Sequence, residues 1–126
     1  MQKNEMEKTQ MIINGAMTGT SVITSNALNI RFLDNIGVQF NFTGTPTGSF
    51  QVLVSADHEQ DPEGNVTVPG TFIPITLTPA PVASGVAGQI YIDLNQLSAP
   101  WMEVQYTNSS GSGTLNAFAT AKSVGG

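Results

Sequence analysis

A chain of 126 residues with a net charge of −5 and no cysteine has the length of one domain and can build a single core without staples. The missing cysteines exclude a disulfide scaffold, a Cys-based zinc site and a thiol nucleophile. The four cations, Lys3, Lys8, Arg31 and Lys122, cannot form a basic stripe, so sequence-independent binding to nucleic acid is unfavourable.

Charged residues make up 10% of the chain, against roughly 25% in an average soluble domain. Ser, Thr, Asn, Gln and Gly supply the polarity instead. With 13 Gly and 7 Pro, this is the composition of many short strands joined by turns. It also suits a surface partly covered by partners, because charge is costly to desolvate at an interface core. No apolar run approaches the ~20 residues of a membrane span. The polar start MQKNEMEKTQ lacks the apolar stretch of a signal peptide, so no export and no membrane are expected.

Residues 1–11 carry Lys3, Glu5, Glu7 and Lys8 and little that is apolar. They read as a flexible N-terminal arm, either idle or ordered on a neighbouring subunit through Met6 and Met11. Residues 12–122 then form one β-domain, followed by a tail at 123–126. The segment 12–30 is strand-like but interrupted, with SVIT (21–24) and ALNIRFL (27–33) as its pieces and Ser25-Asn26 as a bend. Asp34-Asn35 is a turn pair. Residues 36–42 show the clearest alternation, with Val38, Phe40 and Phe42 on one face and Gly37, Gln39 and Asn41 on the other.

TGTPTGS (43–49) is turn chemistry, and 50–56 returns with Phe50, Val52 and Val54 inward. Residues 57–69 are the longest break. A strand over 71–77 contains Pro74, which favours an edge or a bulge. The stretch 88–122 is strand, helical turn at 95–99 stopped by Pro100, strand, hairpin loop at 108–113 and final strand. About eight short strands at this spacing predict an all-β fold, a two-sheet antiparallel sandwich of jelly-roll-like form. The expected core is Phe40, Phe42, Phe50, Val52, Val54, Ile90, Ile92, Val104 and Tyr106.

The chemistry-bearing residues are sparse. Asp57, His58, Glu59, Asp61 and Glu63 gather the only histidine with four of the nine acids. Oxygen ligands on a loop suit calcium, but the spacing is not that of an EF-hand and a zinc set would need more histidines. Asp61-Pro62-Glu63-Gly64-Asn65 is a good turn by itself, so a solvated loop without metal is expected. His58 has no nucleophile elbow near it, and Asp93 and Glu103 read as surface carboxylates rather than a glycosidase pair. No catalytic residue and no cofactor are expected. An exposed Trp101 beside Tyr91 would make a sugar-stacking platform, whereas a core or rim tryptophan would be ordinary packing. The glycines at 44, 48, 111 and 113 open no helix, so they are not phosphate loops.

FTGTPTGSFQVLVSADH and IDLNQLSAPWMEVQYTNSSGSGTLNA carry a resemblance. A T-G-T-P-x-G-x-F turn at 43–50 leads into V-x-V-S at 52–55. I-D-L-x-Q-L at 92–97 is followed by Y-T-x-x-S-G-x-G-T-L at 106–115 and a strand ending near Lys122. This pattern resembles small structural proteins of tailed bacteriophages and covers roughly residues 12–122. The resemblance implies a non-enzymatic virion protein made in the host cytoplasm, a decoration or cement protein on the phage head surface. Its implied partners are the major capsid protein and copies of itself, with Met6, Met11, Tyr91 and Trp101 as possible contacts. The alternative is a fibre or tail module that reads host glycans.

Overall fold

The computed structural model describes residues 6–30, 35–95 and 99–122. Their regular structure is all strand: β1 (Met6–Met17), β2 (Val22–Thr24), β3 (Leu28–Asn29), β4 (Asn35–Phe42), β5 (Thr47–Ser55), β6 (Glu59–Gln60), β7 (Val66–Val68), β8 (Ile73–Pro74), β9 (Val82–Ser84), β10 (Gly88–Asn95), β11 (Trp101–Ser110) and β12 (Gly113–Lys122). One sheet has the order β1-β12-β4-β10, and the other β2-β11-β5-β8, with β3 also on β11 and β9 also on β5. All pairs are antiparallel.

The short strands combine into fewer positions. β2 and β3 both pair with β11, and the bend between them is held there: Ser25 and Val104 exchange backbone and hydroxyl bonds of 2.9 Å. β8 and β9 run in one direction along the same edge of β5, so they form one strand interrupted over 75–81. Apart from β6 and β7, which pair only with each other, eight positions then remain, in the order 1-8-3-6 in one sheet and 2-7-4-5 in the other, the double Greek key of a jelly roll. The two-sheet antiparallel sandwich expected from the turn spacing is the observed fold.

Period-2 alternation builds the core. Inward residues of β4 (Ile36, Val38, Phe40, Phe42), β5 (Phe50, Val52), β11 (Met102, Val104, Tyr106) and β12 (Leu115, Ala117, Ala119, Ala121) form one buried cluster between the sheets. Phe50 lies at its centre, 4.6 Å from Phe40, 5.4 Å from Phe42 and 4.7 Å from Tyr106, centroid to centroid and tilted. Aromatic pairs at these separations add to their area burial. Ile90 and Ile92, expected in the core, are half-buried against it because β10 is a sheet edge. Val54 is half-buried as well, beside the short edge strand β8.

One expectation is corrected. Residues 6–11, read as part of a flexible arm, form the first half of β1, in register with β12 from Met6↔Lys122 to Gln10↔Phe118. Register shifts between Gln10 and Ile12 and between Ile12 and Gly15 break the alternation, and Asn14 takes a positive φ of 48° there. Bulged strands lose their two-residue period, which hides β1 in the sequence. The rest of the expected arm, the helical turn's central residues 96–98 and the tail lie outside the described residues.

The turn motifs meet at one end of the sandwich. Thr43 N donates to Thr114 O at 3.0 Å and Thr45 N to Ser112 O at 2.8 Å, so the β4–β5 and β11–β12 turns interlock. Gly111, at φ 74°, makes this possible: a Cβ there would collide with the Thr45 carbonyl. The glycines that read as turn signals are thus sites of close backbone approach. Beneath them Asn108 is buried; its amide donates to Gly19 O (2.9 Å) and Gly111 O (3.2 Å), and the Tyr106 hydroxyl donates to its Oδ1 at 2.7 Å.

Candidate interaction faces

The two outer faces of the sandwich differ. On the β2-β11-β5-β8 sheet, Trp101 occupies an outward position of β11 yet is only 6% exposed. The loop over 57–72 covers it. His58, 5% exposed, sits edge-on to Trp101 at 4.8 Å and against Phe72 at 5.1 Å. The Pro69 carbonyl is 2.9 Å from Nδ1 of His58 and can only accept, so Nδ1 carries the proton. Nε2 is then free to accept from the Gln60 amide at 3.0 Å. The lone histidine is the small core of a folded loop.

The acids around it hold the same loop. Asp57 Oδ1 accepts from Thr71 N at 2.8 Å and from the Ser55 hydroxyl at 2.9 Å. These bonds, the Thr71 one foremost, hold its carboxyl below its ordinary pKa. Asp61 accepts from Asn65 N at 2.8 Å and Glu63 N at 3.0 Å, with the same effect on its pKa, led by the Asn65 bond. Burial pushes the Glu103 carboxyl up. Among the described residues no three His, Asp or Glu side chains gather as a metal site.

The outer face of the β1-β12-β4-β10 sheet is open. Its side chains follow in register as rows: Lys8–Thr120–Gly37–Asp93, then Gln10–Phe118–Gln39–Tyr91, then Asn116–Asn41–Gln89. Amides link to one another, Gln39 to Asn41 at 2.9 Å and Gln10 to Asn116 at 3.0 Å. Asn116 also accepts from Asn14 N at 2.9 Å, which ties the β1 bulge to the face. Tyr91 lies across Gly37, where a Cβ would meet its hydroxyl, and still exposes 61% of its surface. In these rows charge is confined to the margins, with Lys8 on β1, 5.6 Å above the Phe118 ring, and Asp93 on β10.

The expected contact residues therefore separate. Tyr91 is on the open face. Met11 packs against the core as the bulge residue of β1. Met6 is the first residue of β1. Trp101 is on the other sheet and buried, so it forms no platform with Tyr91. Sequence reasoning missed the rows of Gln, Asn and Thr, whose signal was present in the wet parity of each strand but whose sheet order was not. Beside β10, the excursion over 75–81 leaves a groove of about 550 Å³ lined by Ile75, Leu77, Ile90 and Ile92 among others.

No protein-family model matches the sequence, and no curated protein is significantly similar to it. Solved structures share its fold. A chain of infectious bursal disease virus, Gx strain, superposes with a TM-score of 0.55 at 10% identity, over 95% of this chain and 32% of that one. The chain thus spans about a third of the viral chain it matches. A protein of Bacillus endospore appendages, which form disulfide-linked pili, gives 0.51 at 11% identity, over 98% and 90%. The SPBc2 prophage-derived protein YomS gives 0.49 at 13% identity, over 96% of each chain. At 10 and 11% identity the first two likenesses are of fold alone.

Proposed function

We propose that this chain is a non-enzymatic structural protein of a phage virion, a decoration or cement protein on the outside of the head that contacts the major capsid protein and copies of itself. One observation carries the reading: a jelly roll presents a sheet face whose central strands bear Gln39, Asn41, Asn116, Phe118 and Thr120, with Tyr91 beside them on β10 and the charges of these rows, Lys8 and Asp93, at the margins. Interface cores are depleted in charge and enriched in aromatics in this way. The fold likeness to a viral chain and the sequence resemblance to phage structural proteins point the same way.

The glycan-binding alternative loses its platform, because Trp101 lies under the 57–72 loop. The test is co-sedimentation of purified protein with emptied capsids from the same source. Saturable binding that weakens when Gln39 is replaced by Arg, at the centre of the face, is expected. Absence of binding to capsids, or retention on a host-glycan array instead, overturns the reading.

A further inference from the structure

We infer that the outer face of the β1-β12-β4-β10 sheet pairs with the same face of a second copy about a two-fold axis running along the strands. This deepens the reading above, in which copies of the chain contact one another. Lys8 and Asp93 stand in the same row on opposite edges of the sheet. Three strand spacings separate them, about 14 Å. That exceeds the Debye length of about 8 Å at physiological salt, so neither neutralises the other within one copy.

A two-fold axis in the interface plane, between β12 and β4 and parallel to them, exchanges left and right in each row and preserves height. Lys8 then faces Asp93 of the second copy, and Asp93 faces its Lys8. In the next row Phe118 meets Gln39 and Gln10 meets Tyr91. An axis perpendicular to the strands would instead set Lys8 over β1 and Asp93 over β10, leaving both charges unpaired. Only the first arrangement answers charge with charge, and it gives the aligned packing usual for stacked sheets.

The area is sufficient. Strands of eight residues, as in β4 and β10, in a sheet of four make a footprint of about 27 Å by 19 Å, roughly 500 Å² per copy. A pair would bury about 1,000 Å², the threshold for a specific interface. The other outer face cannot serve equally, because the 57–72 loop occupies part of it.

The experiment is sedimentation equilibrium of the full chain at low salt, with Lys8→Glu, Asp93→Lys and the double reversal, each checked by thermal melt. Both side chains are exposed, so all variants should fold. Each single reversal creates two like-charge pairs per dimer and should raise the dissociation constant about tenfold or more. The double reversal should return it to within about threefold of wild type. A wild-type monomer at all concentrations, indifference to single reversals, or failure of the double to recover overturns the pairing. Capsid co-sedimentation of the same variants separates the two readings. A monomer that binds capsids refutes the pairing alone, and a charge-sensitive dimer that ignores capsids supports the pairing and refutes the virion reading alone.

Discussion

The interlocked turns give the sharpest test of the fold. Gly111 and Gly64 both have a positive φ, 74° and 91°, but a Cβ at Gly64 meets nothing within 4 Å. Alanine at either position adopts a left-handed conformation at a cost of about 1–2 kcal/mol. At Gly64, in the exposed 61–65 turn, that is the whole effect. At Gly111 the new Cβ also lands on the Thr45 carbonyl with Pro46 behind it. Backbone cannot give way as a side chain would, so the two turns must part. Overpacking of this kind costs about 1–3 kcal/mol, and the 2.8 Å bond from Thr45 N to Ser112 O is lost or stretched, for about 1 kcal/mol more. Gly111→Ala should therefore cost about 3–6 kcal/mol against about 1–2 for Gly64→Ala. In a domain of this size that is a fall in Tm of about 10–20 °C against about 5 °C. Urea unfolding with unchanged slope measures both. Equal losses in the two variants would refute the interlock.

Phe40→Ala should cost about 3–5 kcal/mol, since Phe40 is fully buried and packs on Phe50; an unchanged urea midpoint would displace it from the core. Asp57 has a pKa below its ordinary 3.8, so its contribution to loop stability is present above pH 3.8 and is lost as pH falls through the lowered value. Emission of the single tryptophan, Trp101, should accordingly shift to the red on acidification below that point, and Asp57→Asn should show the shifted spectrum already at neutral pH; a variant that matches wild type throughout would remove Asp57 from the loop's support. Deleting residues 1–11 should cost about 2–4 kcal/mol, through five lost strand pairings with β12 and the apolar contact of Met11; a melt identical to full length would return the segment to the status of an arm.

Strand parity was legible wherever a strand ran without a bulge. Phe40 and Phe42 against Gln39 and Asn41, or Val104 and Tyr106 against Glu103 and Gln105, divide inward and outward as their alternation says. Pro74 marked an edge, and β8 is one. Two kinds of information were not local. Parity puts Trp101 on an outer face, but its burial comes from a loop that lies far back in the chain and folds over it with His58 and Phe72 on its underside. The same loop's acids looked like a ligand cluster because the backbone N–H groups that Asp57 and Asp61 engage leave no trace in residue type. Sheet order was the second. Lys8 and Asp93 are 85 positions apart, and nothing in either segment says that β12 and β4 lie between them in one row.

The way the edges are built bears on how such a molecule associates. An open strand edge is a template for another chain. Here the β5-side edge is broken over 75–81 and carries Pro74, Pro79 and Pro81, which donate no backbone N–H. The β1 edge is bulged twice and reaches its far end at Met17 with a left-handed residue on the way. The remaining edge of the open sheet, β10, lies beside the 75–81 excursion, which shares a groove with it. Strand addition is discouraged at the first two of these borders, by prolines and a break at one and by bulges at the other. The outer face of the β1-β12-β4-β10 sheet has no such device at its centre. No acid or base stands at Gln39, Asn41, Asn116, Phe118 or Thr120 to make its burial costly. A chain that breaks its strand edges and keeps the charges of these rows, Lys8 and Asp93, at the margins of the face is shaped to associate face to face.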